Sequence, residues 1–474
     1  VDLHFVRRIR LGEKCHRKTG DGKQNFLHSS FVVLIYSDKD TSFLFRTSFH
    51  FWQKYLHIDI RLFGRISFGC LAGFRSVVWP DFDKTFRGYS LIGIPNFRGN
   101  ADICKWIITF FMTEKFTEII TSTVDGALER QCADILERIG NEYIIASITY
   151  FFEASDEDTY LLNDHILQSA TSSVLKDCPL VSYVSQKPMG ERLVAEILYI
   201  KGTPKVKRYE DYFVLCSDGC EELLTQGIRF PSAGDIGEQS AKVFGRLRNI
   251  LESESFAVSD IVRQWNYISH ITAVNDGIQN YQLFNDARSD FYETTEWSNG
   301  YPAATGIGCD SGGVMVVVYA IKGFKGVGKP IDNPLQIPAH KYSGKVLASG
   351  KEVVRTTPKF ERGRLLGNVV FVSGTAAIKG ENSEFSDDAR VQAKEAIDVV
   401  EHLVEPSNIS KDCVNFRFDL LRVYVRRPQD MEVIQKVFKA HFRDIPTHFL
   451  IADICRPELL LELEGIGHIL IVSL

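Results

Sequence analysis

An order of elements that occurs twice constrains this chain more than any other feature: strand, helix, strand, helix, strand. The clearer copy lies in residues 340–474. Val369-Val-Phe-Val-Ser373 is β-branched and closed by Gly374, as a strand and its turn are. A polar loop, Lys379-Gly-Glu-Asn-Ser-Glu384, leads into Asp387–Val404. There Ala393, Ala396, Ile397, Val400, Leu403 and Val404 recur at three- and four-residue intervals, the stripe of a helix lying on a sheet. Pro406 ends that helix. Phe416–Val425 alternates as a second strand, Met431–Phe442 turns Val433, Ile434, Val437 and Phe438 inward as a second helix, and Leu459–Gly465 closes the copy.

The earlier copy keeps the same order, with strand Tyr212–Cys216, helix Glu238–Leu251, strand Ile261–Ile268, helix Tyr281–Tyr292 and strand Gly313–Ala320. Pro302 stands 144 residues before Pro446, each just after the second helix of its copy. The fold class is therefore α/β (α+β), with two tandem units over residues 205–474, each a mixed sheet with helices packed on one face. Residues 112–200 are predicted to add a helix, Thr113–Ile139, and strands Tyr143–Phe152 and Arg192–Ile200. Lys322–Pro338 reads as the linker between copies.

The front of the chain follows other rules. Residues 1–111 carry 17 Lys+Arg against 9 Asp+Glu, whereas the remainder carries 38 against 51. The same stretch holds 15 of the 33 Phe, at no steady helical or strand period. The first Met is Met112, after which the sequence becomes acidic and regular. Residues 1–111 are thus expected to be a non-native or disordered extension, with translation starting at Met112; the competing reading is a basic, aromatic arm that binds nucleic acid or an acidic partner. For the regular part, no nucleic-acid and no membrane partner is expected.

Ten cysteines are scattered without paired spacing, which points to a reduced, cytoplasmic setting. Cys216 and Cys220 have no second Cys/His pair near them to complete a zinc site, so no metal is expected. No apolar run reaches the ~18 residues of a membrane span. Gly323-Phe-Lys-Gly-Val-Gly328 lacks the Lys-Ser/Thr ending of a nucleotide loop and opens no helix.

The second copy resembles the RidA/YjgF family of small trimeric αβ proteins: Phe371-Val-Ser-Gly374, the long helix, Ile445-Pro446 and Leu461-Glu-Leu-Glu-Gly465 follow that family's order. Imine deaminases of that family carry an Arg two residues after the Pro. This chain has His448 there and Ala304 in the first copy, so the guanidinium that would clamp a substrate carboxylate is missing.

The tandem arrangement, with Phe284-Asn-Asp-Ala-Arg288, Gly300-Tyr-Pro-Ala-Ala-Thr-Gly-Ile-Gly308 and Ile454-Cys-Arg-Pro-Glu-Leu459, resembles the chorismatases, which split chorismate into pyruvate and a cyclic carboxylic acid. The resemblance implies an N-terminal chorismatase-like domain over 112–335 holding the first RidA-like unit, a C-terminal RidA-like domain over 336–474, no organic cofactor, and a monomer or homotrimer. It also implies that Glu462, on the last strand, is the catalytic acid. Cys455, seven residues earlier, matches the subgroup that forms 3-hydroxybenzoate. The alternatives are a catalytically silent RidA-like protein that binds a small carboxylate, and an imine deaminase.

The chemistry needs such an acid. Cleaving the enol ether of chorismate begins with protonation of a vinyl carbon, which calls for a carboxyl still protonated near neutral pH. Glu462 alternates with Leu461 and Leu463, so a strand would turn it toward an apolar pocket that favours its neutral form; a solvated strand edge is the competing reading for Glu462 and Glu464. Aligning the copies sets Val317 against Glu462 and Tyr319 against Glu464, acids in one copy only. Cys455 is either a thiolate favoured by Arg456 or a buried small hydrophobe. A dianionic substrate needs cations or donors, for which Arg288, Arg208, Arg263 and Tyr267 are candidates. Arg288 could equally be a surface residue paired with Asp286 or Asp290, and the other three could be ordinary strand residues. Ala304 and its glycine-rich neighbours either let backbone approach a ligand closely or make a tight turn.

Overall fold

The computed structural model describes residues 115–471 apart from 176–178, 191, 218, 325–327, 344–355, 384–386 and 412. Before residue 115 it describes only the backbone of three antiparallel strands, β1 (Leu27–Ser37), β2 (Thr41–Trp52) and β3 (Tyr55–Phe63), in the order β1-β2-β3. These belong to a separate unit. The expected start at Met112 lies outside the described residues.

Residues 115–200 do not merely add a helix and strands. They form β4 (Lys115–Thr121), α1 (Leu128–Arg138), β5 (Ile144–Phe152), α2 (Glu157–Val174), β6 (Leu180–Ser185) and β7 (Val194–Ile200), paired in the order β4-β7-β5-β6. The expected helix from Thr113 is thus strand first and helix only from Leu128. Thr117, Ile119, Ile120 and Thr121 are β-branched and fit a pleated surface better than a helix.

The second unit runs through β8 (Lys205–Arg208), β9 (Tyr212–Ser217), β10 (Cys220–Thr225), β11 (Ile228–Arg229), α3 (Ile236–Ser253), β12 (Ile261–Ser269), the small hairpin β13 (Val274–Asn275) and β14 (Ile278–Gln279), α4 (Asn280–Tyr292), β15 (Ala303–Cys309) and β16 (Val314–Lys322). Its sheet order is β15-β12-β16-β10-β9-β8. The third has β17 (Lys329–Ile331), β18 (Gly363–Leu366), β19 (Val369–Thr375), β20 (Ile378–Lys379), β21 (Asn382–Ser383), α5 (Ala389–Val404), α6 (Pro406–Ile409), β22 (Cys413–Val425), α7 (Met431–His441), β23 (Thr447–Ile451) and β24 (Leu461–Ile471), ordered β17-β18-β19-β24-β22-β23. The expected linker therefore contains a strand, β17, which pairs with β18.

All three units share one plan. A strand is followed by a helix, a second strand, a second helix, a third strand parallel to the second, and a fourth that inserts antiparallel between the first two. The two tandem copies expected from the sequence are three. Each second strand carries a bulge, at Ala146, Val262 and Asp419. Counted from these bulges, Glu462 stands where Met315 and Val194 stand in the other units, and Glu464 where Val317 and Glu196 stand. The alignment expected from the sequence was two residues out of register.

Helices cover one face of each sheet and make a separate core with it, as α5 and α7 do through Ala396, Val400, Ile434 and Phe438 against Val372, Val423 and Leu463. The opposite faces meet one another. Phe151 and Val194 of the first unit, Tyr267 and Met315 of the second, and Tyr424 and Leu450 of the third form one shared apolar cluster. The fold is thus a ring of three sheets around a common centre, and the junctions between sheets are where side chains of distant sequence converge.

Segment Ala303–Cys309 is a full strand, not a turn. Its small residues serve close packing: a Cβ on Gly306 would stand 3.0 Å from the Tyr281 ring, and one on Gly308 would stand 2.8 Å from the Asp453 carbonyl.

Candidate active site between the second and third units

Alternation along β24 decides which side chains meet at the centre. Leu461 and Leu463 enter the core under α5 and α7, so Glu462 and Glu464 face the inner junction. Both are buried.

Glu464 is fully partnered. Its Oε1 accepts from Arg422 Nη1 at 2.7 Å and from the Tyr424 hydroxyl at 3.0 Å, and its Oε2 accepts from Arg263 Nη2 and the Thr305 hydroxyl. Burial would raise its carboxyl, but Arg263 and Arg422 together hold it below the usual carboxylate range. Arg422 also grips Glu196 of the first unit, with Nε 2.6 Å from Oε1 and Nη2 on Oε2, and His448 lies against the same carboxylate. Burial works against Glu196 too, yet Arg422 and His448 hold it at about 2. One ion network thus ties the three units together.

Glu462 is different. No hydrogen bond to its carboxyl is found among the described residues, and it lines a cleft between the second and third units. Burial, then the Glu464 carboxylate, push it up to about 8 against the pull of Arg362, Arg263 and Arg456. It is therefore largely protonated at neutral pH.

The cleft encloses about 600 Å³ counting the open space at its mouth. From the second unit, α4 contributes Tyr281 and Arg288 and β15 contributes Ala304 and Gly306; from the third come Tyr342, Arg362, Gly374, Cys455 and Arg456. Three guanidiniums line the cleft with Glu462. Arg288 is buried on α4, bonded to Asn285 Oδ1 at 2.5 Å, and its Nε has no partner among the described residues. Arg362 donates to the Ile337 carbonyl at 2.9 Å and to the Tyr342 hydroxyl, and its Nε is likewise unpartnered. Arg456 donates to the Glu381 carbonyl at 2.8 Å and to Ser383 Oγ at 3.1 Å. Buried guanidinium N–H groups without acceptors are costly unless an anion completes them.

The structure therefore brings together Glu462, Cys455, Arg288 and Ala304. It does not bring the rest of the expected set. Arg208 is exposed on the edge strand β8, away from the cleft. Arg263 and Tyr267 are buried behind it, Arg263 bound to Glu464 and Thr305, and the Tyr267 hydroxyl 3.3 Å from Arg422. The thiolate reading of Cys455 is also overturned: burial and the nearby Glu462 push its thiol up to about 12, outweighing Arg456, so it is protonated. Neither a surface site nor a pairing with Asp286 or Asp290 describes Arg288. The sequence reading missed Arg362 and Tyr342, which no periodicity marks. Arg456 lay within the quoted Ile454–Leu459 motif and was weighed only as a neighbour of Cys455.

Three αβ units closed on a charged centre, with a cleft among the described residues that pairs a neutral carboxyl with guanidiniums, define a tandem αβ protein with a differentiated inter-unit site. Residues 201–320 match the family model described as "Chorismatase FkbO/Hyg5-like, N-terminal". A 3-hydroxybenzoate synthase of Streptomyces hygroscopicus is 29% identical over 254 residues, 50% of this chain and 72% of the relative. A chorismatase of Streptomyces rapamycinicus is 27% identical over 250 residues, again 50% of this chain and 72% of the relative. A crystal structure of a chorismatase shares the fold, with a TM-score of 0.57 at 22% identity, over 75% of this chain and 98% of that one. Residues 201–320 thus match a chorismatase N-terminal domain, and half of the chain is similar to curated chorismatases. No helix among the described residues is long and apolar enough to cross a membrane.

Proposed function

We propose that this chain cleaves chorismate to pyruvate and a cyclic carboxylic acid, 3-hydroxybenzoate in particular. The observation that carries the reading is Glu462: a buried carboxyl held neutral at about 8, in a cleft lined by three arginines. Such a group donates its proton to the methylene carbon of the enol ether, giving an oxocarbenium ion. The neighbouring ring hydroxyl, losing its proton, bonds through oxygen to the ether-bearing ring carbon as that carbon's bond to the departing pyruvate breaks. Cleavage of the oxygen's original ring bond, with loss of a ring proton, leaves the hydroxyl at the 3-position. Pyruvate and 3-hydroxybenzoate together contain chorismate's atoms, so that product needs no added water, whereas a dihydroxycyclohexadiene carboxylate takes up one.

Arg288 and Arg362, with their unpartnered Nε groups, and Arg456 bind the two substrate carboxylates. Cys455, a neutral thiol beside Glu462, acts toward the ring as a proton donor rather than as a thiolate nucleophile. The likeness to a 3-hydroxybenzoate synthase supports that product. A silent RidA-like binder or an imine deaminase gives no account of a neutral carboxyl in this cleft.

The test is incubation of the chain with chorismate, following pyruvate by coupled reduction and the acid by chromatography. Pyruvate with 3-hydroxybenzoate in equal amounts is expected; no pyruvate above the uncatalysed background refutes the reading. Arg288→Lys and Arg362→Lys keep the charge and lose the planar fork, so each is expected to raise KM about tenfold or more in the same assay. The three units already cover one another's inner sheet faces, which supports a monomer, to be read as a single-chain mass in sedimentation equilibrium. The six described cysteines are all free, consistent with a reducing, cytoplasmic setting.

A further inference from the structure

Two side chains stitch β15 of the second unit to β19 of the third at the floor of the cleft. Ser373 Oγ accepts from the Ala304 N–H at 2.9 Å, and Thr305 Oγ1 accepts from the Gly374 N–H at 3.1 Å. The Thr305 hydroxyl is saturated: it also accepts from Arg263 Nη2 at 2.7 Å and gives its proton to Glu464. Gly374 lies directly against the acid, since a Cβ added to it would fall on the Glu462 carboxyl, with Thr305 Cγ2 3.1 Å from the same point.

The Gly374 N–H is thus a backbone donor beside a carboxyl that accepts no bond from the described residues, and a hydroxyl from another unit already holds it. We propose that Thr305 is a positioning residue for Glu462: by capturing the Gly374 N–H it withholds a backbone donor that could stabilise the Glu462 anion, while the missing side chain of Gly374 leaves the carboxyl its place. This rests on the reading of Glu462 as the acid. The physical ground is that a carboxylate accepting a backbone N–H is favoured over its protonated form.

The other groups facing Glu462 are accounted for. Its own strand offers Glu464, and neighbouring β22 offers Tyr424 and Arg422, which turn to Glu464. Strand β12 brings Arg263, also committed to Glu464. Arg362 from the segment before β18, Cys455 and Arg456 from the β23–β24 loop, and Tyr281 and Arg288 from α4 line the cleft itself. Losing the Thr305 hydroxyl takes one donor from Glu464 and one acceptor from Arg263, while the direct Arg263–Glu464 pair and the Arg422 and Tyr424 bonds to Glu464 remain.

The test compares the whole chain with Thr305→Val and Thr305→Ser. The Glu462 carboxyl is followed directly by carbon-13 NMR of labelled glutamate, assigned with Glu462→Gln, and the alkaline limb of kcat is followed in parallel. In Thr305→Val the titration midpoint is expected to fall by about one unit, a tenfold loss of protonated acid above the midpoint, with the kcat limb moving the same way. Thr305→Ser is expected to restore both. A folded Thr305→Val whose Glu462 titrates where the parent's does overturns the proposal, as does a Ser variant that behaves like Val. If Thr305→Val fails to fold, Thr305→Ala, which only deletes atoms, takes its place. Should the parent release no pyruvate at all, the substrate reading fails while the NMR midpoint still decides the role of Thr305.

Discussion

Replacing Glu462 by Gln is expected to cut pyruvate release by about 10²- to 10⁴-fold, the range of a lost general acid, while the circular dichroism spectrum stays that of the parent. Gln fills the same space and removes only the transferable proton. A variant that keeps parental turnover would reassign the acid. The same substitution carries a stability signature of definite sign. The folded value of about 8 lies above the ordinary 4.5 of a glutamate, so the folded chain binds this proton more tightly than the unfolded one. The resulting contribution is full below about pH 4.5 and is lost as pH rises to about 8. The Gln variant, which has no such proton, should therefore gain on the parent through that window, by a few kcal/mol in order of magnitude, with the difference constant above it. Thermal melts at pH 5 and pH 9 read this directly, and a difference that does not change with pH would contradict the burial of an ionisable carboxyl. Glu196 works in the opposite sense: held at about 2, it stabilises above the usual carboxylate range and loses that contribution as pH falls toward 2.

The helices and β-branched strands of the second and third units were legible because their signals are local. The stripe at Ala393, Ala396 and Val400 and the run Val369–Ser373 predict their own elements to within two residues. Strand β15 was not, because its residues are chosen for what they must leave room for, the Tyr281 ring and the Asp453 backbone, and small residues give no strand signal. The first unit was hidden for a related reason: among the described residues no strand precedes β4 in its sheet as β9 precedes β10 and β18 precedes β19.

The misregister between copies has an identifiable origin. Four residues, 310–313, join β15 to β16, whereas nine, 452–460, join β23 to β24. A constant spacing cannot survive that insertion. The longer loop is also what carries Cys455 and Arg456 into the cleft, so the segment that spoiled the alignment is the one that sets the third unit apart. Glu462 itself was legible from alternation with leucines. Its setting was not, since Arg263 and Glu464 lie 201 residues apart and Arg422 and Glu196 lie 226 apart.

The second large effect concerns that setting rather than the chemistry. Arg422→Met is expected to destabilise the chain by about 3–5 kcal/mol, because it strips the shared guanidinium from Glu196 and Glu464 while both stay buried. Most of that cost comes from the uncompensated carboxylates and little from a net attraction in the parent. Two consequences separate these causes. Adding Glu196→Gln to Arg422→Met should recover much of the loss, since it removes one stranded charge; a network valued for its attraction alone would lose further stability. The single variant should also recover partly in acid, because Glu196 without Arg422 regains a higher value and protonates within reach. Arg422→Lys keeps a charge but cannot contact both oxygens of Glu196 and the Glu464 carboxylate from one planar fork, so it should fall between parent and Met. Chemical denaturation at pH 5 and pH 7.5 distinguishes the three. If Arg422→Met unfolds within about 1 kcal/mol of the parent, water reaches the junction and the carboxylates there are solvated, which would also remove the low-dielectric surroundings that keep Glu462 protonated.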